Sequence, residues 1–192
     1  PAIGGVGLIK NVARTASVAF KREGDTILLI GETKGHLGQS LYLREIEGRE
    51  DGAAPPVDLA AEKRNGDVVR GLIESGRADT VHDCSDGGLL VALAEMAMAG
   101  RMGAKLALTD SSIPFLFGED QARYVLALPA KAAEAVLAEA KAAGVPAASL
   151  GAVGGDKIII SGVGETPLAN LRAAHEGWFR AYMAGEEIPP TN

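Results

Sequence analysis

The chain has 192 residues, of which 47% are hydrophobic and only 4% aromatic, and its formal net charge is -6. This length favours one domain, with a core built mainly from alanine, valine, leucine and isoleucine. The acidic balance, without a block of Lys or Arg, argues against nucleic acid as a main partner. No apolar run reaches the roughly 18 residues of a membrane helix. Cys84 is the single cysteine, which excludes an internal disulfide and fits a reducing cytoplasm. Because no recognisable base is nearby, Cys84 is expected to be a small buried residue.

The first predicted element is a buried strand, TILLIGE, which follows the turn signal Gly24-Asp25. A glycine-bearing loop, TKGHLGQS, and a short helix over residues 41–46 come next. The segment LAAEKRNGDVVRGLIESG is predicted to be a helix that has Asp58 as its N-cap and ends at Gly76. We expect these early elements to extend a sheet and to cover one of its faces.

Residues 79–160 carry strands and helices in the order β-α-β-β-α-β, which is the split βαβ, ferredoxin-like pattern. The predicted strands are ADTVHDCS, AKLALTD, ARYVLALP and ASLGAVGGDKIIIS, the last of which reads as two short strands in a hairpin across Gly154-Gly155. The predicted helices are GLLVALAEMAMAG and AKAAEAVLAEAKAAG, and IPFLFGED is a loop or short turn. The predicted fold class is therefore α+β, a mixed β-sheet with a ferredoxin-like βαββαβ core and packed helices.

The two ends of the chain suggest how it is organised. The opening PAIGGVGLIK is typical of the interior of a protein sequence, so we expect a piece of a longer chain. Residues 1–15 are assigned to the tail of a preceding domain, residues 16–185 to a C-terminal α/β domain and residues 186–192 to a C-terminal tail. The last predicted helix places the following residues on one apolar stripe, with the histidine as a core or interface residue: Leu168, Leu171, His175, Trp178, Phe179 and Tyr182.

Residues that carry chemistry collect where the strand ADTVHDCS meets the following helix. Gly87 and Gly88 can expose backbone amides at the helix start, where the helix dipole favours an anion. Asp83 opposes phosphate binding unless a cation such as Mg²⁺ lies between the two. Two interpretations stay open. One is an anion or Mg²⁺ site, and the other is a helix capped by Ser85 or Asp86 whose glycines allow close packing on the sheet.

Two other polar clusters are candidates. The loop TKGHLGQSLY lacks the spacing of a P-loop, so Lys34, His36 and Ser40 either contact an anion or belong to a solvated loop. The segment FGEDQARY places Glu119 and Gln121 in a polar cluster ahead of a strand. Such a cluster could bind a ribose or an amide, or it could be a salt-bridged strand entry. The three histidines show no metal-ligand spacing with each other or with the cysteine.

Four segments occur in a familiar order: GGVGLI, GHLGQSLYL, VHDCSDGGLLVALAEMA and LFGEDQARYVLAL. Together they resemble the C-terminal end of the synthetase subunit in the phosphoribosylformylglycinamidine synthase family, within the aminoimidazole ribonucleotide synthetase superfamily. The resemblance implies a full enzyme, an ATP-dependent C–N ligase of de novo purine biosynthesis that requires ATP and Mg²⁺. That enzyme converts formylglycinamide ribonucleotide and glutamine-derived ammonia into formylglycinamidine ribonucleotide. The implied partners are upstream domains of the same chain, a glutaminase subunit and a small bridging subunit, and residues 1–15 would end an ATP-binding half-domain.

The resemblance also implies that the reactive groups lie outside this chain. The family's catalytic histidine and its principal ATP and Mg²⁺ ligands precede the segment that matches, so no catalytic residue is expected here and the isolated chain is expected to be inactive. The resemblance implies an internal duplication, and the positions here that correspond to the site of its first repeat are Asp83 for Mg²⁺, and the run 119–121 and Asp58 for substrate. Asp120 and Asp58 stand where that first repeat has serine and glutamine, and added carboxylates repel a phosphate.

The sequence therefore predicts a supporting domain of a cytoplasmic synthetase. Ligand contacts are expected at Asp83, Ser85, Gly87 and Gly88, with Glu119 and Gln121 behind them. The alternative is a stand-alone regulatory module that binds a small anion or a nucleotide.

Overall fold

The computed structural model describes residues 4–185, so the predicted tail 186–192 and the start of the predicted segment 1–15 lie outside the described residues. Its strands are β1 (Thr26–Ile30), β2 (Val81–Asp83), β3 (Ala104–Leu106), β4 (Tyr124–Leu128), β5 (Ala147–Val153), β6 (Lys157–Ile160) and β7 (Gly164–Pro167). Its helices are α1 (Leu41–Glu45), α2 (Leu59–Glu74), α3 (Gly88–Gly100), α4 (Ile113–Phe117), α5 (Ala130–Ala142) and α6 (Leu168–Ala184). The sequence did not predict β7, and the predicted turn at IPFLFGED contains α4.

The strands form one mixed sheet in the order β2-β4-β1-β5-β3-β6-β7. Hydrogen-bonded neighbours in it are antiparallel, apart from the parallel pair β3 and β6. The central position of β1 explains its uninterrupted apolar sequence, because Ile27, Leu28 and Ile30 have no exposed surface. The predicted α+β fold class with a mixed sheet is confirmed.

The predicted βαββαβ order is present from β2 to β5, with α4 inserted before the third of these strands. In space, β1 lies between β4 and β5 and pairs antiparallel with both. The early strand therefore fills the centre of the sheet and does not extend it from an edge. Its side chains suit that place, because Ile27 and Leu29 enter the core on one face while Leu28 and Ile30 enter the core on the other.

The predicted hairpin across Gly154-Gly155 is wrong, although both of its strands are present. β3 lies between β5 and β6, so Ala104 pairs with Val153 on one side and with Ile158 on the other. The Gly103 N–H donates to the Gly155 carbonyl at 2.7 Å, and the Gly154 N–H donates to the Gly103 carbonyl at 2.8 Å. The glycine turn thus carries the chain around the start of β3, and local turn signals do not distinguish this path from a hairpin.

Helices cover both faces of the sheet, as the sequence predicts. On one face, α3, α4 and the start of α6 pack over the strands, and Leu89, Leu93 and Met96 of α3 are fully buried. On the other face, α2 and α5 contribute Leu72 and Val136 to a second core. Within residues 4–185, none of the helices combines the length and apolar character needed to cross a membrane.

The apolar stripe predicted on α6 is buried only at its beginning. Leu168 is buried in the core and Leu171 packs against it, whereas His175 is exposed. Three aromatic side chains further along are between 52% and 62% exposed: Trp178, Phe179 and Tyr182. The Trp178 and Tyr182 rings stack with their centroids 5.4 Å apart. The distal half of α6 therefore presents an aromatic surface to solvent.

Candidate functional site

Four of the six predicted site residues lie within residues 83–88, from the last residue of β2 to the first residue of α3, a segment called here the β2–α3 turn. Gly87 and Gly88 have positive φ angles of 76° and 71°, which glycine adopts at low cost. A Cβ atom on Gly88 would lie 2.5 Å from the Gly118 carbonyl oxygen, so the turn packs closely on the segment before β4. The N-cap of α3 is Gly87, not Ser85 or Asp86. The glycine turn thus packs closely, as in the second interpretation, but the close contact of Gly88 is with Phe117 and Gly118, and neither predicted residue caps the helix.

Glu119 takes the place of a local cap. Its Oε1 atom accepts a 2.8 Å hydrogen bond from the Gly87 N–H and another of 2.8 Å from the Leu41 N–H, at the first residue of α1. One carboxylate therefore joins the starts of two helices that are distant in sequence, and its charge lies where both helix dipoles favour an anion. The Gly87 amide, a predicted anion contact, is already bonded to an internal carboxylate.

Asp120 binds the loop before α1 in a similar way. Its Oδ2 atom accepts from the backbone N–H groups of Lys34 at 3.0 Å and Gly35 at 2.8 Å, and its Oδ1 atom accepts from that of His36 at 3.2 Å. The loop for which the sequence left anion contact and solvation open is thus bound to the segment before β4, through backbone hydrogen bonds to a carboxylate. Ser40 also has a local role, because its hydroxyl caps α1 by accepting from the Leu43 N–H.

Arg123 also stabilises the segment before β4. Its side chain is fully buried and donates to the carbonyl oxygens of Gly118 and Asp120 and to the Thr33 hydroxyl. The polar cluster before β4 is therefore a hydrogen-bonded segment in which Arg123 contacts the main chain. It is not built on the salt bridges that one interpretation of the sequence proposed. The signal that the sequence offered for this role was the position of Arg123, directly before the apolar strand β4.

The exposed residues of the β2–α3 turn do not by themselves fit a magnesium–nucleotide site. Asp83 and Asp86 each offer one exposed carboxylate, and that of Asp83 lies 3.3 Å from the Nδ1 atom of His82. The Nε2 atom of His82 faces Glu95 at 2.8 Å. No group of three or more His, Cys, Asp or Glu side chains in the described part of the chain is arranged to hold a metal ion. Mg²⁺ prefers six oxygen ligands, so most of them would have to come from a nucleotide, water or another part of a longer protein.

Gln121 and Asp58 line a cavity of about 180 Å³ that Asp120 also borders. Lys34, Arg64 and Asn65 also line it. Asp58 is the predicted N-cap of α2 and accepts from the Ala60 and Ala61 N–H groups at 3.0 Å. These bonds, that from Ala61 above all, hold the pKa of the Asp58 carboxyl below its usual value. Gln121 thus lines a cavity that Glu119 does not border, although the two are almost adjacent in sequence.

Cys84 follows β2 and is buried, as predicted. Burial raises the pKa of its thiol to about 11, with a smaller opposing effect from the positive charge of Arg123. The thiol is therefore neutral near pH 7, which is unsuited to a nucleophile.

The family model described as AIR synthase related protein, C-terminal domain, matches residues 22–163. The chain is 55% identical over 194 aligned positions to the phosphoribosylformylglycinamidine synthase subunit PurL of Parvibaculum lavamentivorans, covering 98% of this chain and 26% of the relative. It is 56% identical to the same subunit of Bradyrhizobium diazoefficiens, covering 97% and 26%. The chain thus spans about a quarter of the length of the curated relatives it matches.

Solved structures of PurL from Thermotoga maritima share the fold. The complex with FGAR has a TM-score of 0.68 at 22% identity, covering 82% of this chain and 29% of that one. The complex with ATP has a TM-score of 0.63 at 19% identity, covering 81% and 27%. The PurLQS structure has a TM-score of 0.64 at 19% identity, covering 80% and 27%. At these identities the likeness establishes the architecture of the chain.

Proposed function

The chain belongs to the family of AIR synthase related protein C-terminal domains, and from this premise we propose that it is the C-terminal domain of a phosphoribosylformylglycinamidine synthase subunit. The observation that carries the proposal is its identity of 55% to a curated PurL subunit along 98% of the chain. The whole protein would convert formylglycinamide ribonucleotide, ATP and glutamine-derived ammonia into formylglycinamidine ribonucleotide. Similarity on this scale to a part of PurL does not favour the alternative of a stand-alone anion sensor.

Within that enzyme we assign the chain a supporting role. The cluster before β4 forms hydrogen bonds to the chain's own backbone through the side chains of Glu119, Asp120 and Arg123. These bonds support a structural role for the cluster. Any direct ligand contact from the predicted set falls to the exposed groups Asp83, Ser85 and Gln121, with Gly87 and Gly88 shaping the turn. ATP and Mg²⁺ would be bound mainly by residues elsewhere in the whole protein, since the described residues do not group three metal-ligating side chains.

Two exposed apolar surfaces support packing against the rest of a longer synthetase chain. Val6 and Leu8 in the segment before β1 are essentially fully exposed, and Phe179 and Tyr182 on α6 are about 60% exposed. Apolar patches of this kind on a soluble protein mark interaction sites. The occupant we propose is the remaining three quarters of the subunit, because the chain spans only 26% of its relatives. A glutaminase, a small bridging subunit and a cytoplasmic location belong to the same proposal.

Genetic complementation tests this function. The segment of the Parvibaculum lavamentivorans subunit that aligns with this chain is replaced by the chain, and the hybrid gene is placed in a purine-requiring strain that lacks PurL. Growth without added purine is expected from the hybrid, and no growth from the same gene with the segment deleted. A hybrid that accumulates as soluble protein but does not support growth would contradict the proposal.

A further inference from the structure

Three consecutive backbone amides converge on one side chain in the loop before α1. The N–H groups of Lys34, Gly35 and His36 all point at the carboxylate of Asp120, at 3.0, 2.8 and 3.2 Å. Gly35 has a φ of 77°, and this left-handed residue lets its neighbours turn their N–H groups inward. Successive N–H groups around such a residue form a concave site for anions, of the kind that binds phosphate in other proteins.

The surroundings of this loop add to its preference for negative charge. Asp120 is 7% exposed, so its bonds to the amides are shielded from water and strengthened by the low local dielectric. The buried guanidinium of Arg123 lies beside it and bonds to the main-chain carbonyl of the same residue.

We propose that residues 34–36 form an oxyanion receptor that the chain fills with its own Asp120 side chain. The side chain acts as a tethered ligand and holds the loop on the segment before β4 without any external anion. It follows that free carboxylates and phosphate do not bind this loop in the natural chain, and that removing the side chain creates a site for them. This inference concerns the chain alone and holds whatever the whole protein catalyses.

Anion rescue of Asp120→Ala tests the proposal. The variant protein is melted in increasing sodium acetate, and in sodium phosphate, against sodium chloride of equal ionic strength. Acetate has the size of the group removed and is expected to bind saturably. At twenty times its Kd it would raise the Tm by roughly 4–7 °C more than chloride does, as ligand linkage requires for a chain of this length. The Gly35 and His36 amide resonances should shift with the same Kd.

Two control variants separate the receptor from general effects of salt on an unstable protein. Asp120→Asn keeps a side chain of the same size in the loop, so it is expected to be less stable than the natural chain and yet to gain nothing from acetate over chloride. Val136→Ala weakens the opposite core, where its side chain is 1% exposed, and leaves the loop filled. It should also gain nothing from acetate.

An acetate effect confined to Asp120→Ala supports the receptor. An equal response of Asp120→Ala to acetate and chloride, or an equal acetate response of all four proteins, overturns it. If Asp120→Ala is unfolded in chloride, recovery of helical circular dichroism in acetate becomes the readout. Asp120→Ser then gives a second folded variant, and failure of acetate to act on both overturns the proposal.

Discussion

Glu119→Ala should destabilise the chain strongly, because this carboxylate accepts from the first amide of α1 and from the N-cap amide of α3. Two N–H groups, those of Leu41 and Gly87, would lose a charged acceptor at 2.8 Å. A hydrogen bond to a charged group contributes about 1.5–3 kcal/mol, and we take the lower part of that range because the side chain is partly exposed. The expected loss in the free energy of unfolding is therefore about 3 kcal/mol. Glu119→Gln retains an Oε1 acceptor for both amides and loses the charge, so it should cost only about 1 kcal/mol.

Urea unfolding followed by circular dichroism measures both variants. With a slope of about 2 kcal/mol per molar urea, Glu119→Ala should lower the unfolding midpoint by roughly 1.5 M and Glu119→Gln by roughly 0.5 M. Glu134→Ala, an exposed position on α5, is the control and should stay within about 0.5 kcal/mol of the natural chain. If Glu119→Ala unfolds at the midpoint of this control, Glu119 does not join the two helices and a role limited to ligand contact becomes the better interpretation.

Three further outcomes can be measured on the same protein. In urea unfolding, Gly88→Ala should cost about 3 kcal/mol and Gly48→Ala only about 1 kcal/mol, because both have positive φ but only Gly88 has backbone within 2.5 Å of the added Cβ; equal losses would show that packing at the turn is loose. Cys84, with its pKa raised to about 11 by burial, should not react with a thiol reagent at pH 8 until urea unfolds the chain; rapid native labelling would contradict its burial. The side-chain hydrogen bonds from Arg22 hold the pKa of Asp79 below its usual value, so its stabilisation is present above about pH 4 and is lost as the pH falls through the lower folded value. The stability difference between the natural chain and Asp79→Asn should shrink over that range, and a difference independent of pH would count against the ion pair.

Much of the fold could be predicted because its elements are marked locally. Asp58 caps α2 as its sequence context indicates, and the apolar run TILLI forms the buried strand β1. Strand pairing depends on contacts between distant segments, which local patterns do not encode. The insertion of β3 between β5 and β6 is such a case, since it depends on the close approach of Gly103 to Lys157.

In the candidate site too, local features could be predicted from the sequence, whereas contacts between distant residues could not. The left-handed backbone at Gly87 and Gly88 follows from their residue type, because other residues rarely adopt these φ angles. The partner of that turn, Glu119, is 32 residues away along the chain, and the partners of Asp120 are more than 80 residues away. A polar cluster that bonds to distant backbone amides looks in sequence like a ligand site. Contacts across the fold are needed to distinguish the two.

The most direct test of the supporting role is the rate of formylglycinamidine ribonucleotide formation, measured for three purified proteins supplied with substrate, ATP and ammonia. They are this chain alone, the Parvibaculum lavamentivorans subunit without its aligned segment, and the same subunit with this chain in that place. The first two should show no turnover, and the hybrid should recover a substantial part of the parental rate. Turnover by this chain alone, or a folded hybrid as inactive as the deletion, would contradict the assignment.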